Sequence, residues 1–223
     1  MNKYLKSLLV VIYYLIYNIA VYIPFVILNV EIRNIPDFLF YTYYISIDII
    51  LIASLFYIYK KDLKKYLYDF KRNGKFHLKE SFNYWIIGLA IMISSNIIIS
   101  LLAPISTPEN EQMIRQLIKI CPWFIAFTTI IEAPIVEEII FRKVPFDVIK
   151  NKTLYIIISG LLFGAVHIIG SGTSLASWLY IIPYSALGMS FAYMYVKTNN
   201  LLTSMCFHAF HNFITVIQIL LLL

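Results

Sequence analysis

Six residues stand at spacings that suit chemistry: Glu137, Glu138 and Arg142 in one apolar stretch, His167 in a second, and His208 and Asn212 in a third. On a helix, at about 100° per residue, Glu138 and Arg142 are neighbours four apart with the acid first, the favourable order for an ion pair. Glu137 points about 140° away from Arg142. The expected division of labour is that Arg142 ties up Glu138 while Glu137 faces the interior unpaired, as a general base or acid must. Ser204, His208, His211, Asn212 and Thr215 fall within an arc of about 100° and form a polar stripe that lipid does not tolerate. Gly160 and Gly164, near the face of His167, open that helix to close approach by another.

These residues need a scaffold, and composition says which kind. Of 223 residues, 61% are hydrophobic and 13% charged, too apolar for a soluble, disordered or nucleic-acid-binding chain. Seven stretches approach the roughly 20 residues a membrane-crossing helix needs. They run near 7–30, 37–59, 83–104, 117–142, 153–170, 175–197 and 201–222. The expectation is an all-α, polytopic transmembrane helical bundle of about seven spans, forming a single domain over 1–223, with the motif-bearing core at about 117–222. The first stretch is too long for a signal-peptide core and lacks a small-residue cleavage pattern, so it reads as a retained span.

Charge orients the spans. The polar connection 60–80 carries eight Lys or Arg against three acids, and Lys143, Lys150 and Lys152 follow the fourth span. The turn with Glu31, Arg33 and Asp37 and the loop with Glu109 and Glu111 are neutral to acidic. The positive-inside rule places the N-terminus, 60–80, 143–152 and the Lys197–Asn200 turn in the cytoplasm. Most of the net charge of +6 is thereby explained by topology, and no nucleic-acid partner is expected.

A rise of about 1.5 Å per residue puts Glu137 and His167 each about 20 Å from the Lys150–Lys152 turn, and His208 and Asn212 about 12 and 18 Å from Asn200. Three helices thus bring polar groups to one layer. Taken singly, an intramembrane His or Asn is ordinarily an interhelical hydrogen-bonding residue and a Glu–Arg pair structural. On the same grounds His211 reads as structural or supporting, and Asp48 and Glu132 as helix–helix contacts, Glu132 projecting 120–140° from its acidic neighbours. Pro134 is expected to kink the fourth span just before the pair. Cys206 does not face His208, and Cys121 lies toward the opposite membrane face, so neither a thiol nucleophile nor a disulfide is expected.

Three motifs in order, Glu137-Glu138-Ile-Ile-Phe-Arg142 (EExxxR), Phe163-Gly-Ala-Val-His167 (FxxxH) and His208-Ala-Phe-His-Asn212 (HxxxN), resemble those of the CPBP, or Abi/CAAX protease-like, family of intramembrane proteases. The resemblance covers residues 137–212, about a third of the chain. It departs from the pattern at Lys143, where many members have glycine. The resemblance implies an intramembrane endopeptidase acting on a membrane-associated peptide or protein, in bacteriocin or signal-peptide processing or in self-immunity. Glu137 and His167 would activate water, His208 and Asn212 would hold the developing oxyanion, and Glu138 and Arg142 would support them. No cofactor is favoured, because the sequence lacks HExxH on one helix; in a zinc-dependent version Glu137, His167 and His208 would be the ligands. The rival readings are a non-catalytic immunity or binding protein of the same fold and a transporter built on the same buried groups. Membrane lipids are the expected surroundings. Richness in Ile, Lys, Asn and Tyr points to a low-GC bacterial genome and hence to a bacterial cytoplasmic membrane.

Overall fold

The computed structural model describes residues 2–29, 35–102, 109–169 and 177–222; the Glu31–Arg33 turn lies outside them. Helix α1 (Lys3–Ala20) starts at Asn2, whose side chain accepts from the Tyr4 amide at 3.1 Å, and a turn leads into the short α2 (Ile23–Ile27), with Pro24 in its first turn. Helix α3 spans Asp37–Ile58, and after one non-helical residue, Tyr59, α4 runs from Lys60 to Leu102.

At 43 residues α4 is about 65 Å long. The segment 60–80, expected as a polar connection, is therefore helical and continuous with the span that follows it. Its composition explains this: no proline interrupts 60–102, and on the polar part Asn73 donates to Asp69 at 2.7 Å and Arg72 to Tyr68 at 3.0 Å, both four apart. Tertiary anchors then hold it. Asn200 donates to the Asp69 carboxylate at 2.7 Å and to the Tyr66 carbonyl at 2.9 Å, and the Tyr66 and Tyr195 hydroxyls lie 2.6 Å apart.

The fourth expected span, 117–142, is shifted and irregular. The polar helix α5 (Glu109–Ile120) stops at Cys121, because Pro122 has no N–H to continue it. A rod then runs through α6 (Pro122–Phe127), a π turn at Thr128–Glu132, α7 (Ala133–Glu138), a second π turn at Ile139–Lys143, and α8 (Val144–Val148). Helix α9 (Lys152–Val166) is capped by Asn151, whose side chain accepts from the Leu154 amide at 3.0 Å. A 3-10 turn at Ser177–Tyr180 enters α10 (Ile181–Thr198). Asn199, left-handed at φ 49°, ends α10, and Asn200 caps α11 (Leu201–Leu221) by accepting from the Leu202 amide.

The chain is all-α and polytopic. Among the described residues, five helical stretches are long and apolar enough to cross a membrane: Lys3–Ile27, Asp37–Ile58, Lys60–Leu102, Ser177–Thr198 and Leu201–Leu221. The other two of the seven expected spans correspond to α9, which is apolar but shorter, and to the rod, whose charges lower its hydropathy. Large apolar side chains such as Val26, Ile50, Leu101 and Ile182 stand exposed on the outside, a surface suited to lipid and not to water.

Helices α9 and α10 approach each other closely. A Cβ on Gly160 would lie 2.9 Å from the Met189 backbone nitrogen, and one on Gly164 would lie 2.8 Å from the Ile181 carbonyl oxygen. Helix α4 packs on the other side of α10, where Ser190 donates to the Tyr84 carbonyl at 2.6 Å. At one end of the molecule Lys143 lies 2.6 Å from Asp147 and 3.6 Å from Asp62, and Lys6 lies 3.6 Å from Asp62. The starts of α1 and α4, the rod's end and the Asn199–Asn200 turn thus gather together. This is the grouping that the charge pattern assigns to one membrane face.

Candidate active site

The two π turns arise where the sequence removes backbone donors. In the first, the Ala133 amide bonds to the Thr128 carbonyl five residues back. The next residue, Pro134, has no N–H to offer Thr129. The Thr129 carbonyl instead accepts from the Asn212 side chain of α11 at 2.8 Å. In the second, the Val144 amide bonds to the Ile139 carbonyl, and Pro145 denies a donor to Phe141 four residues back. There the Ser159 hydroxyl of α9 donates to the Phe141 carbonyl at 2.5 Å. Each side chain supplies a bond that the rod cannot make for itself, and together they fix the rod against α9 and α11. Pro134 thus acts through a π turn completed from another helix.

Between these turns lie the two glutamates. Glu138 and Arg142 are fully buried, with Arg142 Nη2 3.2 Å from Glu138 Oε1. The approach is off hydrogen-bond alignment, since no guanidinium N–H of Arg142 makes a hydrogen bond. The guanidinium lies over the Phe163 ring, 4.5 Å from its centroid, and 5.8 Å from that of Phe191. Glu138 Oε1 also accepts from His208 Nδ1 at 3.1 Å. His208 is held further by stacking on Phe191 at 5.0 Å and by the edge of Phe163 at 5.5 Å. Its Nε2 lies 3.8 Å from Glu137 Oε2. One imidazole therefore bridges the two acids, with Nδ1 toward the sealed Glu138 and Nε2 toward Glu137.

His167 ends α9. Its Nδ1 donates to the Phe163 carbonyl at 2.7 Å, which fixes the tautomer and makes Nε2 the basic nitrogen. Its ring stacks on Tyr184 at 4.6 Å and lies 4.5 Å from Phe163.

Glu137, His167, His208 and Asn212 all line one cavity of about 410 Å³. Glu138 and Arg142 do not line it and sit behind it. His211 and Thr215 of the polar stripe also reach the cavity. Ser204 is buried and donates to the Leu201 carbonyl. Asp48 accepts from Tyr17 across α1 and α3. Cys121 and Cys206 are both free thiols.

Glu132 departs from expectation. It lines this same cavity, together with Tyr14 and Asn96, and makes no helix–helix hydrogen bond or ion pair among the described residues. Both Glu132 and Glu137 line the cavity, so an angular separation of 120–140° along one helix does not separate two residues that share a wide pocket. Tyr14, Asn96 and Tyr184 were not singled out by sequence, since nothing in their spacing ties them to the acids. The carbonyl anchors had a usable signal: a proline in an apolar helix frees a carbonyl four residues earlier, or five in a π turn, and a polar side chain from another span is needed to fill it.

Among the described residues no three His, Cys, Asp or Glu side chains are grouped so as to hold a metal ion.

The model of Rce1-like proteins, described as type II CAAX prenyl endopeptidase Rce1-like, matches residues 119–214. That stretch contains every residue of the three motifs. The matched region is similar to the CAAX-protease-like family. Within the curated proteins, one similar to this chain is named "Putative membrane peptidase YdiL", from Bacillus subtilis (strain 168); it is 33% identical over 115 residues, 50% of this chain and 43% of that protein. An uncharacterized protein of Mycoplasma capricolum is 36% identical over 97 residues, 44% of this chain and 27% of its own length. UPF0177 protein YxdF of Lactococcus lactis is 27% identical over 135 residues, 56% of this chain and 71% of its own. The chain thus spans less than half the length of the first two relatives. No solved structure matches it. The matched stretch comprises the rod, α9, α10 and most of α11, which line the cavity together with residues of α1, α4 and α5.

Proposed function

We propose that the protein is an intramembrane endopeptidase that hydrolyses a peptide bond of a membrane-associated peptide. The observation that carries this reading is the convergence of Glu137, His167, His208 and Asn212, from three helical elements, on one cavity. Similarity to the Rce1-like model and to a protein named as a membrane peptidase supports it.

The chemistry follows from the groups present. Glu137, with one oxygen toward His208 and the cavity beside it, takes a proton from a water that His167 Nε2 orients. The resulting hydroxide attacks the peptide carbonyl carbon. Negative charge then grows on the carbonyl oxygen, where the second Asn212 N–H and, in the imidazolium form whose Nδ1–H still faces Glu138, the His208 Nε2–H are the donors at hand. Glu137 returns its proton to the departing amine as the C–N bond breaks. Glu138 and Arg142 hold His208 from behind, and the apolar walls strengthen each of these interactions by keeping bulk water away. Substrates of this site are peptides lying in the membrane, such as bacteriocin or signalling-peptide precursors in the bacterial cytoplasmic membrane.

Comparing the membrane peptides of a strain carrying the intact protein with those of a Glu137→Gln strain, by mass spectrometry at matched protein levels, tests the reading. Precursors accumulate and their products vanish if it holds; identical peptide profiles refute it.

A further inference from the structure

Glu132 is a carboxyl set in the cavity wall of an apolar bundle without a protein partner among the described residues. Isolated acids at such depth are costly unless something uses them. The cavity also holds Glu137, and its third acid, Glu111, is engaged by Arg115 at 2.6 Å. Among the described residues no lysine or arginine lines the cavity. Two carboxyls on one pocket repel each other when both are ionised, and a positive group is what the pocket lacks. A metal ion is the poorer match, since no three ligating side chains are grouped there.

We infer that Glu132 is a specificity subsite for a cationic group of the peptide substrate, a lysine or arginine side chain close to the scissile bond. The inference rests on the proposed peptidase reading. Its position follows from the helix. Glu132 and Glu137 are five positions apart, about 7.5 Å along the axis. An extended peptide advances about 3.3 Å per residue, so the basic residue lies about two positions from the bond that Glu137 addresses. Glu132, on the wall, is the group placed to receive its N–H donors, and Tyr14 is also on the lining.

The test uses the full chain in lipid nanodiscs and two fluorescent apolar peptides, identical except for one lysine replaced by norleucine. Binding is measured in a Glu137→Gln background, so that neither peptide is cleaved. The lysine peptide binds about ten-fold more tightly or better, as a charge-assisted contact in a dry pocket warrants. Adding Glu132→Gln removes that preference, and Glu132→Lys transfers it to a peptide carrying glutamate at the same position. Thermal melting of each variant confirms that it is folded. Equal binding of the two peptides, or a preference for lysine that survives Glu132→Gln in folded protein, overturns the inference. The peptidase reading fails separately, when cleavage of membrane peptides survives Glu137→Gln whatever the binding preference.

Discussion

The α9–α10 pair and the rod from Pro122 to Val148 are built on opposite principles. The pair is regular helix against regular helix, brought close by Gly160, Gly164 and Gly188, with little room for any added atom. The rod breaks its own hydrogen-bond ladder twice, at Thr128–Glu132 and Ile139–Lys143, and depends on Asn212 and Ser159 to complete it. The candidate catalytic carboxylate, Glu137, and its buried neighbour Glu138 both lie on the irregular element. The lesson is that precision at this site comes from a rigid neighbour holding an irregular rod, since π turns reset which way Glu137 and Glu138 face.

The largest expected effect comes from the rod's buried charge pair. Arg142→Met leaves the buried Glu138 without its cation, with only the His208 Nδ1–H as partner, and thermal unfolding in detergent should show a loss of about 3–5 kcal/mol. Replacing Glu138 with leucine in the same protein should recover much of that loss; a variant lacking Arg142 alone that melts like the parent would show that the pair is not what holds the rod.

Next is the regular pair. Gly164→Leu forces a side chain against the Ile181 carbonyl and Ser185, which overpacking puts at about 1–3 kcal/mol or more. Because His167 sits one turn further on, such a variant should also lose activity out of proportion to its stability. Unchanged melting would mean that α9 and α10 do not approach as described.

A smaller and more diagnostic effect separates the two designs. Ser159→Ala strands the Phe141 carbonyl and should cost about 1–3 kcal/mol. In a Pro145→Ala background, where residue 145 regains an N–H, the same change should cost less, with a coupling of at least about 0.5 kcal/mol in a double-mutant cycle. Additive losses would sink the claim that proline creates the need that serine meets. Smallest is Tyr17→Phe, which removes one hydrogen bond to Asp48 far from these elements and should cost about 1 kcal/mol with little effect on activity.

Much of this was legible in the sequence. The apolar stretches, the pairing of Glu138 with Arg142, the gathering of charged turns at one end and the close approach at Gly160 and Gly164 all follow from spacing and composition. The helical state of 60–80 did not, because lysine-rich connections and lysine-rich helices share a composition and the difference lies in contacts such as Asn200 to Asp69. Glu132 was misplaced for a related reason: an angle on one helix says nothing of how far a pocket extends around it. The orientation of His208, with Nδ1 on Glu138 and Nε2 toward Glu137, depends on three elements at once and has no signature along the chain.

The central claim is that Glu137 turns a water molecule into the nucleophile for peptide hydrolysis. Its most direct test incubates the purified protein in proteoliposomes with the host's membrane peptides in ¹⁸O-labelled water, and reads new C-termini by mass spectrometry. The account predicts one ¹⁸O in each new carboxyl group, with products reduced at least about 1,000-fold by Glu137→Gln in protein that melts normally. Labelled products formed equally well by the Glu137→Gln protein would contradict it.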